Sequence, residues 1–276
     1  MSTATHTIDA PHCTPPARPA RTSPTGRILK SEWTKLRTLP STWRTAVTAV
    51  TISIGLGAIL CVSQAGQWAT MTAAQRSAFD PTACSLGGFF LVGAVLLGAL
   101  AVRTVTAEYS TGMIRSTFTA MPTRRLVLAA KAAVTAAFVF PVALLAAVVS
   151  FEVGQQVFAG KHLQVSFGSP GVLQALVFAA LAVSLVAIIG VGLGGLIRHT
   201  AAATTALVLI IVGGVTLGQF LPAGLRQYLP GTALEAAVTV HRSAGLLRPG
   251  TAIIVLGVYA IVALVAASMR MAHRDA

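Results

Sequence analysis

Six stretches of roughly 20 apolar residues, free of Asp, Glu, Lys and Arg in their interiors, limit what this chain can fold into. They cover approximately residues 42–63, 86–105, 132–151, 173–197, 201–220 and 251–269. A hydrocarbon layer about 30 Å thick needs about 20 residues of helix to cross it, because each residue adds only about 1.5 Å. A water-soluble core has no use for such unbroken runs. Only 10% of the 276 residues are charged, where a soluble domain carries about 25%. The expected fold is an all-α integral membrane protein with six transmembrane helices.

The arrangement of positive charge orients these spans. Seven Lys and Arg precede the first span or fall in its first turn (Arg18, Arg21, Arg27, Lys30, Lys35, Arg37 and Arg44). Five more, Arg103, Arg115, Arg124, Arg125 and Lys131, surround the second connection. Arg198, Arg270 and Arg274 fall on the same side, and Arg76, Lys161, Arg226, Arg242 and Arg248 on the other. Cytoplasmic loops carry the excess of Lys and Arg, so both termini are expected in the cytoplasm of a multi-pass cell-membrane protein. The net charge of +13 is explained by this placement. No basic stripe interleaved with aromatics suggests nucleic-acid binding.

Between the spans, the composition predicts distinct pieces. Residues 1–25 are rich in Thr, Pro, Ala and Ser, and read as a disordered cytoplasmic tail. Residues 26–40 place Leu29, Trp33 and Leu36 at i, i+4 and i+7 among Lys30, Lys35 and Arg37. That pattern predicts an N-terminal amphipathic interfacial helix in contact with membrane lipid, and Pro40 ends it. Residues 41–276 form the six-span domain. The segment 103–131 contains a second amphipathic pattern, with Met113, Ile114, Thr117, Phe118 and Met121 on one face and Arg115 off it. In the last long connection, Thr232 and Glu235 fit a capping box. They predict a short helix over 230–241, lying on the membrane, dipping into it, or replaced by a surface loop. Arg198-His199-Thr200 leaves room only for a tight hairpin between the fourth and fifth spans.

Little here suggests reaction chemistry. The pattern Gly190-Val-Gly192-Leu-Gly194-Gly195 matches G-x-G-x-x-G, but it lies inside an apolar run rather than between a strand and a helix. Gly190 and Gly194, and likewise Gly214 and Gly218, are four residues apart and suit close helix packing. There is no P-loop pattern, no metal spacing and no nucleophile elbow. The six His are scattered, and Cys13, Cys61 and Cys84 read as three unrelated thiols. The chain is expected to bind no cofactor and to be no enzyme. Pro141 predicts a kink in the third span, structural or hinge-like. Spans without interior charge argue against an ion-coupled carrier, so energy for uphill movement would enter from outside the bilayer.

Glu108-Tyr109-Ser110-Thr111-Gly112, followed by Met121-Pro122, Arg124-Arg125 and Lys131, resembles the permease subunits of bacterial ABC-2 type transporters. The opening Lys30-Ser-Glu-Trp-Thr-Lys-Leu-Arg37 is similar to the start of actinobacterial members. The resemblance implies an exporter whose ATP and magnesium sit on a separate cytoplasmic ATPase subunit, with the permease acting as a homodimer. It implies that 108–121 is a cytoplasmic coupling helix touching the ATPase through Glu108, Tyr109, Gly112, Met113, Ile114, Arg115, Phe118 and Met121. An apolar, lipophilic cargo would suit the spans. The readings from other classes are a non-transporting assembly or sensor subunit, and an ion-coupled carrier.

Overall fold

A computed structural model describes residues 24–113, 124–240 and 245–274. The described residues are helical, with no strand among them. In chain order the helices are α1 (Pro24–Thr38), α2 (Pro40–Gln67), α3 (Ala73–Ser77), α4 (Pro81–Gly88), α5 (Ala94–Ser110) and α6 (Arg124–Ala159). They continue with α7 (Val172–Ile197), α8 (Thr200–Leu217), α9 (Ala223–Arg226), α10 (Pro230–Ala237) and α11 (Pro249–Arg274). Most of the tail at 1–25, and residues 114–123, lie outside the described residues.

Five helices are long and apolar enough to cross a membrane: Pro40–Thr70, Arg125–Ala159, Val172–Ile197, Thr200–Phe220 and Pro249–Met271. The predicted second span is built differently. A π-helical turn, Phe89–Gly93, joins α4 to α5, so neither α-helical piece reaches the span length on its own. Glycines border this turn, and a Cβ at Gly88 would overlap the backbone nitrogen of Gly57 on α2. A side chain there would force the two helices apart. The third helix is longer than its apolar run and continues through Pro141.

Local chemistry sets the ends. Pro40 and Pro81 occupy first-turn positions, where no backbone donor is needed. The Asp80 carboxylate accepts from Thr82 N at 2.9 Å and Ala83 N at 3.1 Å, capping α4. Arg198 (φ 63°) ends α7, and His199 caps α8 by accepting from Ala202 N at 3.3 Å. The tight hairpin therefore turns on Arg198 and His199.

Helix α7 is the centre of the bundle, packed against α5, α6 and α11. Small residues let the backbones close. A Cβ at Gly190 would sit 2.6 Å from the Gly98 carbonyl oxygen, and one at Gly194 3.0 Å from that of Val102. Gly214 and Gly218 instead face α10 and the turn before it. Helix α10 is buried among α8, α7 and α11, and is neither a surface loop nor an exposed amphipathic helix. It has no capping box. Its N-cap is Leu229, and Thr232 lies within the helix, donating its hydroxyl to Leu229 O and Arg226 O. Pro230 starts the helix three residues earlier than a Thr232 cap would.

Candidate functional site

The ends of α1, α5 and α6 meet where Lys and Arg are densest. On α1, Ile28, Glu32 and Leu36 recur every four residues and are buried, so one carboxylate lies between two apolar anchors. On α5, Glu108 follows the buried Val105 and Thr106. On α6, Lys131 shares the buried side with Val127, Leu128 and Thr135. Packing of these three faces brings charges far apart in sequence into one cluster.

The cluster is an alternating quartet. Lys131 Nζ donates to Glu32 Oε2 at 2.5 Å and to Glu108 Oε1 at 3.0 Å. Lys35 Nζ donates to Glu32 Oε1 at 2.7 Å and to Glu108 Oε1 at 2.9 Å. Each cation therefore touches both anions, and the four charges sum to zero. Glu32, Glu108 and Lys131 have side chains no more than 7% exposed, while Lys35 is 34% exposed. Burial alone would raise the Glu32 pKa, but attraction and hydrogen bonds from Lys131 and Lys35 outweigh it and hold the carboxyl below its ordinary value. Burial alone would lower Lys35, and its bonds to Glu32 and Glu108 reverse that and raise it.

Two buried polar atoms in this region have no hydrogen-bond partner: Glu108 Oε2 and Thr135 Oγ1. Both residues line a cavity of about 260 Å³, whose walls include Leu36, Leu39, Leu100 and Val134, with Arg103 also on its lining. Nearby contacts brace the same end. Arg198 stacks over the Tyr109 ring at 5.0 Å, Thr200 donates to Thr106 at 2.8 Å, and Arg270 donates to Leu196 O.

The structure redistributes the residues read from sequence. Glu108, grouped there with a docking surface, is committed to the buried quartet. Tyr109 is half-buried beneath Arg198, Gly112 (φ +72°) closes α5, and Met113 is exposed. Ile114, Arg115, Phe118 and Met121 lie outside the described residues. On α1, Leu36 is buried while Leu29 and Trp33 are exposed, so this stripe lies along the edge of the buried face, with Leu36 on its inner side. Spans lacking interior charge need correction at one end, because α6 begins earlier than its apolar run and Lys131 is buried two turns inside it. Glu32, Lys35 and Lys131 were missed as site residues. The available signal was Glu32 at helical spacing between Ile28 and Leu36, since a carboxylate on a buried face requires a cation.

At the opposite end, Cys61 and Cys84 approach to 3.9 Å between sulfurs, so these two thiols are neighbours. Cys84 also lines a second cavity of about 720 Å³ together with Gln64, Gln67, Asp80 and Glu235. Burial raises the Glu235 carboxyl above its ordinary value, against a smaller opposing pull from Arg226. No group of three or more His, Cys, Asp or Glu suited to a metal occurs among the described residues.

The family described as "Protein of unknown function (DUF2705)" matches residues 71–276. The chain belongs to that family. The DUF2705 match contains Glu108 and Lys131 and begins after Glu32 and Lys35, so the quartet joins the matched region to the helix before it. No curated protein matches the chain.

Proposed function

We propose that this DUF2705 chain is the membrane-spanning subunit of an ATP-driven exporter of the ABC-2 type, working as a homodimer with a separate cytoplasmic ATPase. In this reading Pro81–Ser110 is a sixth span, the basic end is cytoplasmic, and the cargo is lipophilic. The segment 114–123, with Ile114, Phe118 and Met121 as apolar anchors, receives the ATPase. The chain itself hydrolyses nothing.

The quartet carries this reading. Helices α5 and α6 flank the segment 114–123, and Glu108 and Lys131 tie their ends to Glu32 of α1. A displacement delivered between α5 and α6 therefore reaches three helices at once. Replacing Phe118 with Asp tests the contact. The variant should insert normally, lose co-purification with a co-expressed partner ATPase, and lose export. Retained co-purification together with retained export would overturn the proposal.

A second reading, an ion-coupled carrier, draws on one observation: Glu108 Oε2 is a buried carboxylate oxygen without a donor. Sealed vesicles separate the two. Flux that follows an imposed proton gradient in the absence of ATP favours the carrier, and flux that requires ATP and the ATPase favours the exporter.

A further inference from the structure

We propose that the groove between α1, α2 and α6 holds one phospholipid of net negative charge, its phosphate on Arg37 and an acyl chain along α6. The inference needs only that α2 and α6 cross the membrane, and it holds whether or not the chain exports anything. Helical spacing makes the floor of the groove. Phe138, Pro141, Val142 and Leu145 recur at i, i+3, i+4 and i+7 on α6, so they form one stripe. Phe138 is buried, while Leu145 is 60% exposed and opens the far end. Between them the stripe runs about 10 Å along the helix. Leu36 and Trp33 of α1 and Trp43 of α2 wall it, enclosing about 340 Å³. Small-molecule pockets run from about 300 to 1,000 Å³.

The two ends of the groove differ in kind. Trp43 donates its indole N–H to Arg37 O at 3.0 Å and sets its ring edge-on against Phe138, with 5.4 Å between centroids. It thereby fixes the end of α1 beside the start of the stripe. There Arg37 presents an exposed guanidinium, and Trp33, one turn earlier and 41% exposed, presents an indole N–H. Both donors are open to a ligand. Among the described residues Arg37 is the one charge on the lining, so the groove is positive and carries no carboxylate. A phosphate suits the guanidinium fork. A zwitterionic headgroup would bring its own cation beside Arg37 and find no anion to meet it. Tryptophans collect at the membrane–water interface, which sets the Arg37 end at headgroup depth. Leu145 lies well inside a spanning helix, where the acyl chain would be.

The test is competition between phosphatidylglycerol and phosphatidylcholine with identical acyl chains. The full-length protein in mixed lipid–detergent micelles is read by native mass spectrometry. Each copy should retain one phosphatidylglycerol about fivefold better, as a charge-assisted hydrogen bond partly screened by water would give. Arg37→Gln should bring the two lipids level, and Arg37→Lys should keep most of the preference. Arg44→Gln removes an exposed arginine of α2 that is off the groove, and should change nothing. Val142→Phe fills the groove, so both lipids should be lost severalfold with the melting temperature unchanged. Equal retention of the two lipids by the native chain overturns the proposal, as does retention that Val142→Phe leaves intact. An Arg44→Gln loss matching that of Arg37→Gln would mark general attraction to a basic face and overturn it as well. Dimers whose copies carry no lipid would put a second copy on the groove instead, with the same consequence.

Discussion

Replacing Lys131 with Met tests whether the quartet holds α1 in place. Methionine has a similar length, so the substitution removes charge with little loss of packing. Glu32 and Glu108 would be left facing one another, both buried, with only Lys35 between them. Breaking a buried ion pair from one side costs about 3–5 kcal/mol, because the remaining charge stays out of water. For a chain of this size that lowers the melting temperature by roughly 10 °C. Lys35 touches the same two carboxylates but is 34% exposed, so water screens its loss and Lys35→Met should cost only about 1 kcal/mol. Adding Glu32→Gln to Lys131→Met leaves Glu108 paired with Lys35 and restores neutrality. The double variant should therefore be more stable than Lys131→Met alone, with a coupling of about 2 kcal/mol. Thermal unfolding in detergent, followed by size-exclusion fluorescence, reads all three. Equal losses for Lys131→Met and Lys35→Met, with simple additivity in the double variant, would refute the argument that this cluster clamps the helices.

Three further predictions rest on other observations. Because the folded Glu32 pKa lies below 4.5, its stabilisation is present above the unfolded value and is lost as pH falls through the folded one. Because the folded Lys35 pKa lies above 10.5, its contribution is present below that value and is lost as pH rises through the folded one. These two groups should thus leave melting temperature unchanged across neutral pH, and Glu32→Gln should remove part of the acid limb. Copper phenanthroline should oxidise Cys61 and Cys84 to a disulfide, with two electrons passing to copper(II) and two protons released. Starting from 3.9 Å, the sulfurs must close to about 2.0 Å. In a Cys13→Ser background both thiols should then escape maleimide under denaturing conditions, and continued labelling would show that the helices do not approach as described. Gly190→Ala drives a methyl to 2.6 Å from the Gly98 carbonyl oxygen and should cost about 1–3 kcal/mol, whereas Gly257→Ala meets nothing within 4 Å and should be neutral or stabilising.

Five of the six predicted spans were legible because a bilayer demands length and apolarity, and both are local properties of the sequence. The hairpin at Arg198 was legible for the same reason, since two apolar runs with almost nothing between them must reverse. The π turn at Phe89–Gly93 was not legible, because it depends on how closely α4 approaches α2. Thr232 shows how a local pattern fails. Threonine and glutamate three apart satisfy the capping-box spacing, but Pro230 fixes an earlier start and the threonine hydroxyl turns back to carbonyls. The thiols at 61 and 84 belong to different helices, and no spacing rule connects them.

The quartet was half legible, and the reason bears on what it does. Periodicity identifies which face of α1 is apolar, and Leu29, Trp33 and Leu36 look like one stripe because each is apolar. The buried face is instead Ile28, Glu32 and Leu36, with a charge at its centre. A hydropathy argument rejects that choice, since apolar residues of similar volume often stabilise as well as a buried ion pair or better. What the charges add is directional. An apolar contact tolerates rotation of α1 about its axis, whereas four hydrogen bonds at 2.5–3.0 Å from three helices permit one orientation. That orientation leaves Leu29 and Trp33 on the outer side of α1, where an aromatic ring suits the membrane interface. Helix α1 is thus fixed by ion pairs on one side and offers an interfacial anchor on the other. A helix held in that way moves with the ends of α5 and α6 rather than sliding over them.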